Sequence, residues 1–385
     1  MKSFNIFVKF LFAKKTFSSP KKKDVLLYDR HGISLLEKFF NKDQIEIVDT
    51  RFESINLNIL LKNFLNFKFK KADYFLSYID KVDPKIVITY NENYPEFYKI
   101  ANKTSKKTLA IQRSMRSYHT DIFQLLKDNA KKNIGSLSVT NFFCFNNQAK
   151  RIYEKYIKSK YEIIGCPISN FHLKKNLPKK KQGIYVSMYI AKDKYTNVKL
   201  YHGTSVDNEK YIAYETKFIK FLSNYCKNNN LELNILGKLK LNQEEENDYF
   251  KKILDNENFN FVKNYNGRPT FDLIDRAEFV IGCTSTLLYQ SISRGNKTVF
   301  CGFIPDEYPL STKFFGRLSN YPDIGLFWSN KYNPKDYEKI LNKVRNTSIE
   351  DWEKEIQTHN PEIFSYDRNN SKLKMYFKNL GLMTK

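Results

Sequence analysis

The sequence predicts an α/β protein of two Rossmann-like domains in tandem, each built on a parallel sheet. Three observations predict it. Short apolar, β-branched runs alternate with amphipathic helical patterns along most of the chain. The alternation stops at a Lys-rich stretch and then restarts. Finally, 385 residues exceed what one hydrophobic core serves, while 41% hydrophobic and 16% aromatic residues supply enough apolar material for two.

The elements follow in order. Phe4, Phe7, Val8, Leu11 and Phe12 fall at helical spacing among Lys2, Lys9, Lys14 and Lys15, so residues 1–23 read as a basic amphipathic segment suited to an anionic membrane surface. Lys9 breaks the apolar core, and no small-residue cleavage site follows, unlike a secretory signal. From Asp24, "DVLLYD" reads as a strand, "GISLLEKFF" as a helix, "QIEIVD" as a strand and 55–80 as helix. "KIVITY", "TLAIQ", "SVTNFFCF" and "YEIIG" continue as strands, with "YPEFYKIANK" and "QAKRIYEKYI" as helices between them. These make a first domain over 24–171. Residues 172–182, Lys-rich with a Pro and without apolar periodicity, read as the linker.

A second domain over 183–333 repeats the pattern. "GIYVSMY", "LELNILG", "FNFV", "EFVIG" and "KTVFC" are its strands, and 209–229, "EEENDYFKKIL", "TFDLIDRA" and 286–294 its helices. Residues 334–385 carry helical patterns with Asn333 and Ser348 as N-caps. Ligands of open parallel sheets sit at the carboxyl ends of the strands. The loops at 29–32, 90–93, 112–121, 237–240 and 282–286 are therefore expected to face one cleft.

Charge and cysteines bound the function. Sixty-five Lys+Arg against 41 Asp+Glu give +24, which favours an anionic partner. The lysines are spread over helix faces and the linker rather than gathered in a nucleic-acid module, so no nucleic-acid partner is expected, although a basic nucleic-acid-binding protein is one rival reading. Cys144, Cys166, Cys226, Cys283 and Cys301 are scattered without CxxC or metal spacing, and free thiols in a reducing cytoplasm are expected. No apolar run approaches the ~18 residues that span a bilayer.

The stretch "FVIGCTSTLLYQSISRGNKTVFC", 279–301, carries the clearest chemistry. A strand ends at Gly282, where the backbone can turn tightly, and Thr284 or Ser285 can cap a helix beginning near Thr286. A helix N-terminus offers free N–H groups and partial positive charge, so with these hydroxyls the turn suits a phosphate oxygen. Gln290 and Arg294 follow on one helical face.

This stretch resembles the nucleotide-sugar site of GT-B glycosyltransferases. The whole chain resembles the bacterial surface carbohydrate (lipopolysaccharide or capsule) biosynthesis family, through "SPKKKDVLLYDRHG", "IQRSMRSYHTDIF", "IIGCPISN", "NILGKL", "GLFWSN" and "SIEDWEKEI" in the same order. It departs from the family pattern at Gln290, where many GT-B enzymes have a ribose-binding Glu, at Arg113 and Ser114 in place of Asn-Gly, and at Lys238 in place of Arg. The resemblance implies a GT-B fold with two sheets facing a cleft and a metal-independent sugar transfer from a nucleotide-sugar to a lipid-linked or glycan acceptor. It implies no cofactor, and a peripheral location on the inner face of the cytoplasmic membrane.

By the same resemblance, Lys238, Gly282, Thr284, Ser285, Thr286 and Gln290 would bind the donor, with Arg268 and Arg294 as further cations. No DxD triplet occurs, so cationic side chains and the helix dipole would stabilise the leaving phosphate. An inverting reaction needs a general base in the first domain. Asp29, His31, Glu92 and Asp121, with His119, stand at strand ends for that role, and Asp29 could orient His31. Gln112, Arg113, Arg116 and Ser117 could hold an anionic acceptor or a donor carboxylate. A UDP-sugar 2-epimerase and a glycerol- or ribitol-phosphate transferase share the fold and are the alternatives within it.

Overall fold

A computed structural model describes residues 11–116, 122–131, 137–172, 174, 177–189, 197–199, 205–238, 243–255, 259–265, 267–302, 315 and 321–382. The strands are β1 (Lys14–Thr16), β2 (Val25–Tyr28), β3 (Ile45–Val48), β4 (Ser54–Asn56), β5 (Ile86–Thr89), β6 (Lys107–Ile111), β7 (Leu137–Cys144) and β8 (Ile157–Ile163) in the first half. The second half holds β9 (Gln182–Val186), β10 (Asn197–Lys199), β11 (Ser205–Asp207), β12 (Glu232–Leu236), β13 (Asn260–Val262), β14 (Phe279–Gly282), β15 (Thr298–Cys301) and β16 (Trp328–Ser329).

Two six-stranded sheets result, in the orders β3-β2-β5-β6-β7-β8 and β13-β12-β9-β14-β15-β16. Every pairing within them is parallel. Within its own half the second sheet runs 3-2-1-4-5-6, the doubly wound order. Strands β2, β5, β14 and β15, apolar but for Thr89 and Thr298, are buried at every residue, so both faces are covered. Alternate residues of β2 enter two cores, Leu26 and Tyr28 on one face and Val25 and Leu27 on the other.

The ends of the chain behave differently from the expectation. Residues 1–10 of the basic segment lie outside the described residues, and Lys14–Thr16 is not helical but pairs in parallel with β4. The span 55–80 is two helices: Asn56 caps the start of Leu57–Leu65 by accepting the Ile59 N–H, and helical geometry breaks after Asn66, where Phe67 takes φ +56, before Lys71–Val82 begins. The C-terminal helices divide between the domains. Tyr337, Ile340 and Trp352 belong to the core of the second, whereas Leu373, Phe377 and Leu382 pack in the first beside Phe39 and Phe40. The Phe377 ring lies 4.8 Å from Phe40 and 5.2 Å from Phe39.

Between the halves the chain is tightly anchored. Gly165, at φ +67, bridges to Tyr366, and a Cβ there would lie 2.0 Å from the Ser365 carbonyl oxygen, so only glycine fits. In the linker, Lys179 Nζ donates to the carbonyls of Asp275 (3.1 Å) and Ala277 (3.0 Å) of the second domain. Burial lowers that ammonium to about 8. All five cysteines are free and buried. No helix among the described residues is long and apolar enough to cross a membrane.

Candidate functional site

The carboxyl end of β2 holds the most organised polar cluster. Asp29 is buried, and its backbone sits at φ 85, a region in which a non-glycine residue is strained. One oxygen, Oδ1, accepts the His31 backbone N–H at 2.9 Å and lies 2.6 Å from His31 Nδ1. The other, Oδ2, accepts from Thr50 Oγ1 at 3.1 Å and stands 3.4 Å from Arg51 Nε. Burial works to raise this carboxyl, but the His31 backbone and ring and the Tyr94 hydroxyl, bonded to its charged form, hold it below the usual carboxylate range. His31 itself is about one-third exposed, so its ring presents a face to solvent. The expected pairing of Asp29 with His31 is thus present in the geometry.

Thr50, Arg51 and Tyr94 complete this cluster and were not among the expected residues. Arg51 Nε donates to Tyr94 Oη and its guanidinium lies 5.3 Å from the Tyr94 ring centre. The signal was available: Thr50 and Arg51 follow β3, a strand end like the others. Next to them, Arg30 makes a two-pronged contact with Asp49, 3.0 Å on each arm.

Glu92 stands differently. It is wholly buried, with Oε1 accepting from Arg116 Nε at 2.6 Å and Oε2 from the Arg113 N–H at 2.9 Å. Its two oxygens brace the loop after β6 instead of facing solvent. Gln112 is also wholly buried: its amide nitrogen donates to Ser114 O, and its oxygen accepts the Phe145 N–H, both at 2.9 Å. Arg116 is spent on Glu92, whereas the Arg113 side chain of the same loop is exposed. Ser117, His119 and Asp121 lie outside the described residues.

In the second domain the strand, turn and helix of 279–293 form as expected. Ser285 is the N-cap of the helix Thr286–Ser293 and accepts the Leu287 N–H at 3.2 Å. Gly282 has another reason than a turn. It is the last residue of β14, and a Cβ would come 3.2 Å from Val186 O and 3.3 Å from Leu288, so its bareness lets strand and helix pack closely. Thr284 Oγ1 lies 3.5 Å from Met188 Sδ, and Thr286 Oγ1 accepts the Met115 N–H at 3.2 Å. That last bond joins the loop after β6 to the turn after β14, so the carboxyl ends of the two sheets meet.

Lys238 follows β12 with its side chain exposed. Its backbone N–H donates to both oxygens of Glu246, at 2.9 and 3.1 Å, and its Nζ reaches Met188 O at 3.5 Å. Glu246 is wholly buried and also accepts from Ser187 Oγ, so one carboxylate ties the ends of β9 and β12. Glu215 is also buried, accepting from the Tyr185 and Tyr249 hydroxyls at 2.8 Å each, and burial pushes its carboxyl up.

Three expected donor contacts point elsewhere. Gln290 Nε2 lies 2.8 Å from Cys166 Sγ, at the junction with the first domain. Arg294 has no exposure: it pairs with Asp275, and Nη1 donates to the carbonyls of Ser169, at 3.1 Å, and His172. A buried guanidinium bonded on several sides is a pin between domains, not a phosphate ligand. Arg268 pairs with Asp272 one turn on, at 2.8 Å.

Comparisons with known proteins agree with this architecture. A "putative UDP-N-acetylglucosamine 2-epimerase" from Listeria monocytogenes superposes with a TM-score of 0.55 at 11% identity, covering 93% of this chain and 97% of that one. UDP-GlcNAc 2-epimerase from Neisseria meningitidis bound to UDP-GlcNAc gives 0.52 at 12%, over 92% and 99%. A glycosyltransferase from Rickettsia africae ESF-5 gives 0.51 at 11%, over 93% and 98%. At such identities the likeness establishes the fold, GT-B as expected, and nothing more. No curated protein sequence matches the chain. The family model described as "putative O-antigen biosynthesis protein" matches residues 109–381, part of the first sheet and all of the second, and on that match the chain belongs to this O-antigen biosynthesis family.

Proposed function

We propose that the protein is a glycosyltransferase that moves a sugar from a nucleotide-sugar donor to a surface glycan acceptor, lipopolysaccharide or capsule. What supports the assignment is that both sheets end in polar groups at their carboxyl edges, Asp29 with His31 after β2 and the capped turn at Ser285 and Thr286 after β14, and that the loop after β6 of the first sheet bonds to that turn through Met115 and Thr286. Membership of an O-antigen family and a fold shared with a UDP-GlcNAc-bound protein support a sugar-nucleotide substrate.

In this mechanism Asp29 holds Nδ1 of His31, leaving Nε2 to accept the proton of the acceptor hydroxyl as its oxygen attacks the anomeric carbon. The bond between that carbon and the nucleotide phosphate breaks, and the departing phosphate carries the electron pair. The positive end of the helix Thr286–Ser293 with the Thr286 N–H and hydroxyl, the Lys238 ammonium and the Arg113 guanidinium receive that charge. Protein cations do this without a metal.

Calorimetric titration with UDP, CMP, CDP and GDP tests the donor side. One of them binds, and Thr286→Ala combined with Lys238→Ala weakens it. If none binds, or the double variant binds like the parent, the donor assignment is wrong. Incubation with UDP-GlcNAc and detection of the C2 epimer would instead identify a 2-epimerase.

A further inference from the structure

A pocket of about 540 Å³ lies beside the helix Leu57–Leu65, walled by Phe52, Ile55, Leu60, Phe64, Tyr74 and Phe75. Its size falls in the ~300–1,000 Å³ range of small-ligand sites, and its wall is mostly apolar. At its rim stand Phe64 and Phe69, 64% and 66% exposed, and the neighbouring Leu65 and Phe67 are 76% and 84% exposed. Rings this exposed are uncommon on a surface that meets only water. Phe69 packs edge-on against Phe64 at 5.6 Å and against Phe67 at 6.4 Å, so they form one patch.

Charge surrounds the patch. Lys62, Lys68, Lys70 and Lys71 are exposed, and residues 57–72 contain no Asp or Glu. Lys71 leans into the pocket, its Nζ 3.2 Å from Thr50 O and over the Phe75 ring at 5.6 Å. Inside, Asn63 is buried and lines the pocket. Its oxygen accepts from Ser77 Oγ at 2.6 Å, but its amide nitrogen has no hydrogen-bond partner. A buried donor of this kind is costly unless an acceptor reaches it. At the other end, Asp49 and Thr50 line the pocket, and Thr50 bonds directly to Asp29.

We propose that this pocket binds the hydrocarbon chain of an anionic, phosphate-bearing lipid. The exposed phenylalanines enter the apolar layer, the lysines meet the phosphates, and Asn63 donates to an oxygen near the start of the chain. A second copy of this protein is a poorer occupant, because it would set lysine against lysine. The proposal rests on the acceptor side being the first domain: a lipid seated here brings its head towards Asp29 and His31, and so assigns a lipid-borne acceptor.

The test uses Phe64→Trp in the full chain, where the native Trp328 and Trp352 are buried. Phosphatidylcholine vesicles containing phosphatidylglycerol with brominated chains quench the new indole, and Lys68→Glu with Lys70→Glu abolishes the loss. Inorganic phosphate leaves emission unchanged. Equal emission with brominated and unbrominated lipid overturns the proposal, as does equal quenching by brominated phosphatidylcholine alone. A dimer that persists in sedimentation with these vesicles present would identify a second copy as the occupant and also overturn it. Nucleotide titration of the same variant separates the two proposals. Nucleotide binding without quenching removes the lipid site alone, whereas quenching without nucleotide binding supports the lipid site and removes the transferase.

Discussion

The carboxylate of Asp29 touches His31 twice through a single oxygen, at 2.6 Å to the ring Nδ1 and 2.9 Å to the backbone N–H. The ring and the turn that carries it are therefore held by the same atom. If His31 is the base, His31→Ala lowers kcat for sugar transfer by roughly 10²–10⁴ while nucleotide affinity stays at the parent value. Steady-state kinetics beside a calorimetric titration would show this, and an unchanged kcat would remove His31 from the mechanism.

The same carboxyl predicts an acid limit. Asp29 is held below its ordinary value in the folded protein. A group with a depressed folded pKa adds stability above its unfolded value, about 3.9, and loses it as pH falls through the folded value. Thermal melts taken downwards from about pH 5 should show Tm falling more steeply for the parent than for Asp29→Asn, which has no carboxyl to protonate. Parallel curves would show that the depression contributes nothing.

At the turn after β14, two neighbouring hydroxyls should behave differently. Ser285→Ala removes the cap and costs about 1 kcal/mol in urea unfolding. Thr286→Ala keeps the cap but deletes the bond to Met115, so small-angle scattering without nucleotide should report a more open particle. An identical scattering profile would show that the contact does not hold the domains together.

Arg294 separates a structural cation from a ligand. With both partners wholly buried, Arg294→Met leaves Asp275 uncompensated and destabilises by about 3–5 kcal/mol. In a denaturant titration this appears as a lower midpoint, while nucleotide affinity, measured where the variant is folded, stays unchanged. A selective loss of nucleotide binding would return Arg294 to the donor site.

Local features were the legible ones. β2 and β14 are short apolar runs between breakers, and Ser285, Asn333 and Ser348 cap helices with side chains that reach only two or three residues onward. What required the whole fold stayed hidden. Glu246 sits in "EEENDYF", which reads as a solvated face, and its burial makes sense only once Ser187 and the Lys238 N–H arrive from other strands. Gln290 has the position of a ribose contact by pattern, but the docking of Cys166 from the first domain sets its partner. Thr50 and Arg51 were within reach, since the strand-end rule that selected Asp29 applies equally to the end of β3.

The return of the helix Ser371–Asn379 to the first sheet has a consequence for biosynthesis. Phe39 and Phe40 emerge from the ribosome long before the Phe377 ring that covers them is made. During translation the first domain must wait with part of its apolar surface bare until the second domain and the helix Ser371–Asn379 after it have been synthesised, although domains more commonly fold one after another from the N-terminus. A nascent chain stalled before residue 371 would therefore present that surface to chaperones, however complete its second domain.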